Sequence, residues 1–233
     1  MLVLVNIMKP TPTENKLTMK TGGFTTLAEA LDYAAQGDTG FNFYNSRGQL
    51  QDVLRYTLLK KEAQAVAGRL LALGPERGAR VALIADTDPD FIIFFFACQY
   101  AGMVPVPLPT PNSLGGRLAY EALLKRLMES CRASVAIAPK EFSEYILEAA
   151  KGLTLRFVGT PEMFSDLPQD QSGLNPSGPK DLAYIQFTSG STRFPRGVMI
   201  THEAVLANLT AIIEDGLNVQ AGDRAVSWLP FYH

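Results

Sequence analysis

The chain predicts an α/β fold in which mostly parallel sheets are covered by helices. Short apolar runs alternate with helix-length amphipathic segments between Val81 and Val158, the rhythm of strands joined by helical crossovers. Gly and Pro punctuate that rhythm, as at Gly74-Pro75 and at Gly102 with Pro105 and Pro107. With 47% apolar and 19% charged residues in 233, the chain can bury a sizeable core as one large domain or two small ones.

Residues 1–22 are rich in Thr, Pro and Lys without clear periodicity and read as a loose leader. A strand is expected near Phe41–Tyr44, followed by an Asn-Ser-Arg-Gly turn. Thr57 is positioned to cap a helix whose buried stripe is Leu59, Ala63, Val66, Leu70 and Leu73, and Gly74-Pro75 stops it. Val81–Ala85 then reads as a strand, and Pro89 to Ala101 as a helix buried on nearly all sides. Val104–Leu108 is a Pro-limited strand, and the next helix lines up Tyr120, Leu124, Leu127 and Cys131. Strand Val135–Ala138, helix Phe142–Ala150 and strand Leu155–Val158 complete the alternation.

Residues 165–181 break the rhythm as a polar connector and a candidate seam between two sheet units. Beyond it come a strand over 182–187, a polar loop, and a strand over 198–200. A helix follows, capped by Thr201, burying Val205, Leu209 and Ile212, and stopping at Gly216; a last strand spans Ala225–Leu229. The apolar run Phe91–Cys98 is followed at once by Gln99 and is far shorter than the ~20 residues a spanning helix needs. The apolar start, Met1 to Val5, lacks a basic region and does not read as a signal peptide.

A net charge of −2 argues against nucleic acid or an anionic membrane as main partner. Cys98 and Cys131 form no C-x-x-C pair and fit a reducing compartment, so a cytoplasmic location is expected. With only His202 and His233 as histidines, no Cys/His metal site is supported, and His202 is assigned no chemical role.

Chemistry concentrates in the loop between the strands at 182–187 and 198–200. Thr188, Ser189, Gly190, Ser191 and Thr192 supply hydroxyls and backbone N–H groups, Arg193 and Arg196 supply guanidinium charge, and Pro195-Gly197 closes the loop. Phosphate oxygens require that surrounding. Gly190 and Gly197 are expected to allow close backbone approach and positive φ. A Walker A loop is excluded, because Pro195 stands where its second Gly belongs. Composition alone would equally describe a polar surface turn; the order of strand, hydroxyl loop, Pro-Arg-Gly and second strand favours phosphate.

These motifs resemble the adenylate-forming superfamily of acyl-CoA synthetases, luciferases and nonribosomal-peptide adenylation domains. Its signature runs roughly [ST]-S-G-[ST]-T-G-x-P-K-G, and Thr188 to Gly197 match it with Arg193 in place of Gly and Arg196 in place of Lys. Those two changes look most like the fatty acyl-AMP ligase branch. So do Tyr184-Ile-Gln-Phe before the loop and Ser227-Trp-Leu-Pro-Phe-Tyr-His after it. The runs beginning at Ala30, Arg80 and Phe95 resemble the N-terminal part of the same enzymes, so the likeness covers roughly residues 25–233.

The resemblance implies that a complete enzyme condenses a fatty acid with ATP to acyl-AMP and pyrophosphate, then passes the acyl group to an acyl carrier protein. Thr188, Ser189, Ser191 and Thr192 would hold β/γ-phosphate oxygens and Gly190 would admit the backbone, with Arg196 at the usual Lys position. Arg193 joins this nucleotide-binding set without a standard role in the broader superfamily. His233 matches the histidine of the second motif and is expected to position substrate; Trp228, Phe231 and Tyr232 are expected to be core or to wall the acyl pocket. The family's adenine-binding segment, Mg2+ ligand, ribose-binding Asp and C-terminal Lys would lie downstream of His233. Residues 1–233 alone are therefore expected to be inactive. An acyl-CoA synthetase and a non-catalytic nucleotide- or protein-binding module are the alternatives.

Overall fold

The computed structural model describes residues 2–4, 17–111, 116–170, 173–188 and 195–232. In chain order the elements are β1 (Leu2–Leu4), α1 (Leu27–Ala34), β2 (Gly40–Tyr44), β3 (Leu50–Arg55), α2 (Tyr56–Ala72), β4 (Arg80–Ile84), α3 (Pro89–Ala101), β5 (Val104–Leu108) and α4 (Gly116–Cys131). They continue with β6 (Ala133–Ile137), α5 (Ser143–Ala149), β7 (Phe157–Gly159), α6 (Pro161–Ser165), β8 (Leu182–Phe187), β9 (Gly197–Thr201), α7 (His202–Ala211) and β10 (Val226–Ser227).

The predicted parallel sheet is present, four-stranded in the order β5-β4-β6-β7. Its two faces follow the period of two along β4. Val81 and Leu83 face α1, α2 and α3, together with Val135 and Ile137 of β6. Ala82 and Ile84 face α4 and α5, with Tyr120, Leu124, Met128 and Ile146. Two antiparallel sheets flank this unit: β10-β1-β2-β3 and the two-stranded β8-β9. β1 falls inside the stretch expected to be loose, paired between β2 and β10. Thr18, nearer the end of that stretch, is tied down too: its carbonyl accepts from the Tyr33 hydroxyl at 2.6 Å.

α3 occupies the predicted residues because its ends are specified by chemistry. Asp88 caps it, Oδ1 accepting from Phe91 N–H at 2.7 Å, and Pro89 starts the first turn where its missing N–H costs nothing. Gly102 ends it at φ 66°, and a Cβ there would stand 2.6 Å from both the Arg77 guanidinium and the Asn175 carbonyl. Between those ends Phe91, Phe94, Ala97, Cys98, Gln99 and Tyr100 are all buried. Tyr100 closes a link among three helices: its hydroxyl donates to Asp32 of α1 at 2.7 Å, and Lys60 of α2 pairs with the same carboxylate at 2.9 Å.

Several local expectations change. α2 begins at Tyr56 after Arg55, without a side-chain cap, so Thr57 is not its cap. Its buried stripe runs through Leu59, Ala63, Ala67 and Leu70, with Val66 and Leu73 half-buried beside it. The sequence pattern predicts neither β3 nor α6; β3 is exposed except at Leu54 and carries no alternation to reveal it. Along α7 and the helical turn Ile212–Gly216 that continues it, the expected buried positions Leu209 and Ile212 are exposed and Val205 is half-buried; the buried residue is His202. The final strand is shorter than expected, at Val226–Ser227.

The connector after α6 is polar but fastened. Arg77 donates to the carbonyls of Asn175 and Pro176 and to Asp181 Oδ2, at 3.0, 2.9 and 2.6 Å. Ser177 N–H donates to the Gln99 carbonyl at 2.9 Å, and Asp170 N–H to Gly68 at 3.0 Å. These bonds fix the entry of the chain into β8.

Candidate functional site

The two strands that bracket the hydroxyl loop in sequence form an antiparallel hairpin. β8 and β9 pair from Leu182↔Thr201 at the base to Phe187↔Gly197 at the tip, and Thr188 N–H donates to the Arg196 carbonyl at 3.0 Å to close the mouth. Both Thr188 and Arg196 are exposed there, so one hydroxyl and one guanidinium are free to meet a solvent-borne anion. Ser189, Gly190, Ser191, Thr192 and Arg193 lie outside the described residues.

Gly197 is required for space, not for backbone conformation. A Cβ at this position would come within 2.9 Å of Ile185 Cγ2 and 3.4 Å of the Phe187 ring. Its φ is not in the positive region, which corrects that part of the sequence reading; Gly197 lets the two strands close together at the root of the loop.

The second motif is placed in part. Ser227 pairs with Val3 across β10 and β1, and its hydroxyl accepts from Leu229 N–H at 3.2 Å. Phe231 stacks on Phe91 of α3, ring centroids 5.2 Å apart at 12°, and Tyr232 packs on the same core. Trp228, by contrast, is 70% exposed and is neither core nor pocket wall among the described residues. His233 lies outside the described residues.

Strand order reverses between β4 and β6, where open parallel sheets commonly bind ligands beyond the strand ends. Among the described residues, Ile84, Asp88, Phe91, Phe94, Ile137 and Pro139 leave a cavity of about 10 Å³ there, room for one water. Burial raises the Asp88 carboxyl to about pH 7, the charges of Asp90, Asp86 and Glu141 add to the rise, and the Phe91 N–H opposes it. A larger open groove of about 580 Å³ runs along α7 between Thr25, Lys180 and Glu203, and shares no residue with the hairpin mouth.

Sequence reasoning missed two buried polar residues beneath the hairpin. Gln99 of α3 donates from Nε2 to the Ala183 carbonyl of β8 at 2.9 Å and to Phe95 at 3.3 Å. Its position in an otherwise apolar helix face was the available signal. His202, fully buried, accepts at Nδ1 from Leu27 N–H of α1 at 3.1 Å. The imidazole is thus held as the neutral Nε2–H tautomer. Burial lowers it to about pH 4, against the pull of Asp181. Both cysteine thiols are buried and pushed up by that burial, Cys131 to about 11, which leaves them chemically quiet.

The segment Thr188 to Arg193 thus joins in sequence the two strands of a hairpin set beside a helix-covered parallel sheet. The chain belongs to the AMP-binding enzyme family, whose model matches residues 39–233. It is 46% identical to a Caulobacter vibrioides protein named "Putative acyl-CoA synthetase", over 96% of this chain and 39% of that one. It is 31% identical to a long-chain-fatty-acid–AMP ligase of Mycolicibacterium smegmatis, over 82% of this chain and 30% of that enzyme. A solved structure from work on fatty acyl-adenylate ligases of E. coli and L. pneumophila superposes with a TM-score of 0.87 at 46% identity. That match covers 93% of this chain and 39% of that one. The chain thus spans about two-fifths or less of these relatives' lengths.

Proposed function

We propose that the chain is the N-terminal part of a fatty acyl-AMP ligase, and that the β8–β9 tip is its pyrophosphate-side cradle. The supporting observation is the hairpin itself, whose strands bracket the Thr188–Gly197 motif in sequence and whose mouth is closed by the Thr188–Arg196 hydrogen bond. In the reaction a fatty-acid carboxylate oxygen attacks the α-phosphorus of ATP. The Pα–O–Pβ bond breaks, and pyrophosphate leaves with the bonding pair. Charge grows on the departing phosphates, and positioned donors lower the barrier by absorbing it.

In this reading Thr188, Ser189, Ser191 and Thr192 donate to β/γ-phosphate oxygens, and Gly190 admits the backbone. Arg193 and Arg196 neutralise charge, Arg196 with a bidentate grip that a Lys would lack. Gly197 keeps the strands close enough to hold the mouth shut. His233 positions the acyl and α-phosphate end of the substrate. Among the described residues no group of three His, Cys, Asp or Glu side chains converges, so no step is assigned to Mg2+ through this segment. The Mg2+ ligand is expected downstream.

Acyl transfer to the thiol of an acyl carrier protein, with release of AMP, is the second half of this reading. A Moorena producens relative, 29% identical over 90% of this chain, is named a medium-chain-fatty-acid–[acyl-carrier-protein] ligase. An acyl-CoA synthetase is the second reading, favoured by the name of the Caulobacter relative. The full-length protein, given ATP, a fatty acid and coenzyme A, decides between them. Accumulating acyl-AMP supports the ligase, and rapid acyl-CoA formation supports the synthetase.

We further read residues 23–233 as the N-terminal part of the AMP-binding domain, with a subdomain seam over 165–181 and a cytoplasmic location. Among the described residues no helix is long and apolar enough to cross a membrane.

A further inference from the structure

Among the described residues the loop-bearing hairpin pairs only as a two-stranded sheet, β8-β9, with β8 packed beside β5 without joining its ladder. Two paired strands alone are marginally stable and do not fix their own orientation on a neighbour. Apolar contacts of Ala183 and Ile185 with the core hold β8 down, but hydrophobic burial is non-directional. Directional bonds are needed to aim the tip.

Two such bonds meet the base of the hairpin from opposite strands. Gln99 Nε2 donates to the carbonyl of Ala183, one residue past Leu182. His202 follows Thr201 directly, and Leu182 and Thr201 are register partners. Its Nδ1 takes the N–H of Leu27, a first-turn donor of α1 that has no acceptor within its own helix. His202 N–H donates in turn to the Asp181 carbonyl at 3.1 Å, just before β8. One anchor therefore ties the hairpin base to α3, and the other ties it to α1.

Each anchor leaves one polar atom without a partner among the described residues: Gln99 Oε1 and His202 Nε2 are buried and unbonded. An apolar residue of similar shape would avoid that penalty. What the polar residue adds is its bond to or from the hairpin base.

We infer that Gln99 and His202 are positioning residues that fix the base of the β8–β9 hairpin to α3 and α1 and so set where the phosphate loop stands. The functional half of this proposal rests on the phosphate reading of the loop. The anchoring half does not.

Hydrogen–deuterium exchange on the 233-residue chain tests the anchoring, using Gln99→Leu, His202→Leu and His202→Asn. Asn places an amide acceptor near the position of Nδ1 and serves as the rescue. Each Leu variant should lose about tenfold protection over 182–188 and 196–201, with β4 and β6 changed less than about twofold. Asn at 202 should restore most of it. Unchanged hairpin protection, or equal loss in β4 and β6, overturns the proposal. Should His202→Leu fail to fold, Gln99→Leu and His202→Asn carry the same comparison.

Inorganic pyrophosphate, titrated into the full-length protein carrying the same substitutions, tests the functional half. Affinity should fall about tenfold in the Leu variants and recover in His202→Asn. Equal affinity throughout overturns the positioning role. No binding even by the wild type, with the exchange pattern as expected, removes the phosphate reading while the anchors stand.

Discussion

Gly197 lies so close to Ile185 that a Cβ would approach Cγ2 to 2.9 Å, at the last residue pair before the hydroxyl loop. Either β9 or Ile185, itself buried, must give way if any side chain is added. Gly197→Ala should therefore cost about 1–3 kcal/mol, the range of overpacking in a filled core. Chemical denaturation reads that loss, and a cost near zero would show that the strands are not held at this distance.

Gly102 meets two demands at once, a left-handed φ of 66° and no room for a Cβ beside Arg77 and Asn175. Ala at 102 should destabilise by about 1–3 kcal/mol and loosen the connector held by Arg77. Faster proteolysis across residues 173–181 would report that loosening.

Stability should depend on pH through two buried groups of opposite sign. His202 titrates near 4 in the folded chain, below its ordinary 6.5. Its contribution is whole above pH 6.5 and is lost as pH falls from there through 4. Asp88 titrates near 7, above its ordinary 3.8, so its contribution is whole below 3.8 and is lost as pH rises through 7. As pH rises from 4.5 to 7.5, wild type should gain about 2–3 kcal/mol through His202 that His202→Asn does not gain. Asp88→Asn, which keeps a capping side chain, should gain over the same interval. Denaturation midpoints of the three proteins at both pH values check the signs.

Much of this architecture was legible because periodicity and punctuation agreed. α3 and β5 fall on the predicted residues, since Asp88-Pro89, Gly102 and the two prolines of Val104–Leu108 leave little freedom. β3 was not legible, being solvent-facing at every position but Leu54. The stripe on α7 misled, because apolar spacing marks a face able to be buried and does not say what covers it. At the site, the motif identified the loop but gave no hint of Gln99 and His202. Their partners, Ala183 and Leu27, lie 84 and 175 residues away along the chain.

Arg196 is exposed at the mouth and should act on phosphate more than on folding. In the full-length enzyme Arg196→Ala should raise the KM for ATP about tenfold or more, the loss of one charge-assisted hydrogen bond. Lys at 196 should recover only part of it, supplying the charge without the bidentate fork. A KM unchanged by Ala would place the phosphates elsewhere.

The 233-residue chain by itself is expected to show no acyl adenylation. Robust ATP–pyrophosphate exchange by the purified chain would refute that.

The most direct test of the whole account is fatty-acid-dependent exchange of labelled pyrophosphate into ATP by the full-length protein, with and without the Thr188–Gly197 motif intact. The account predicts exchange that requires a fatty acid and falls at least about a hundredfold when Ser189, Ser191 and Thr192 are replaced together by Ala, a loss of several phosphate hydrogen bonds. Exchange independent of fatty acid, or undiminished by those replacements, would contradict it.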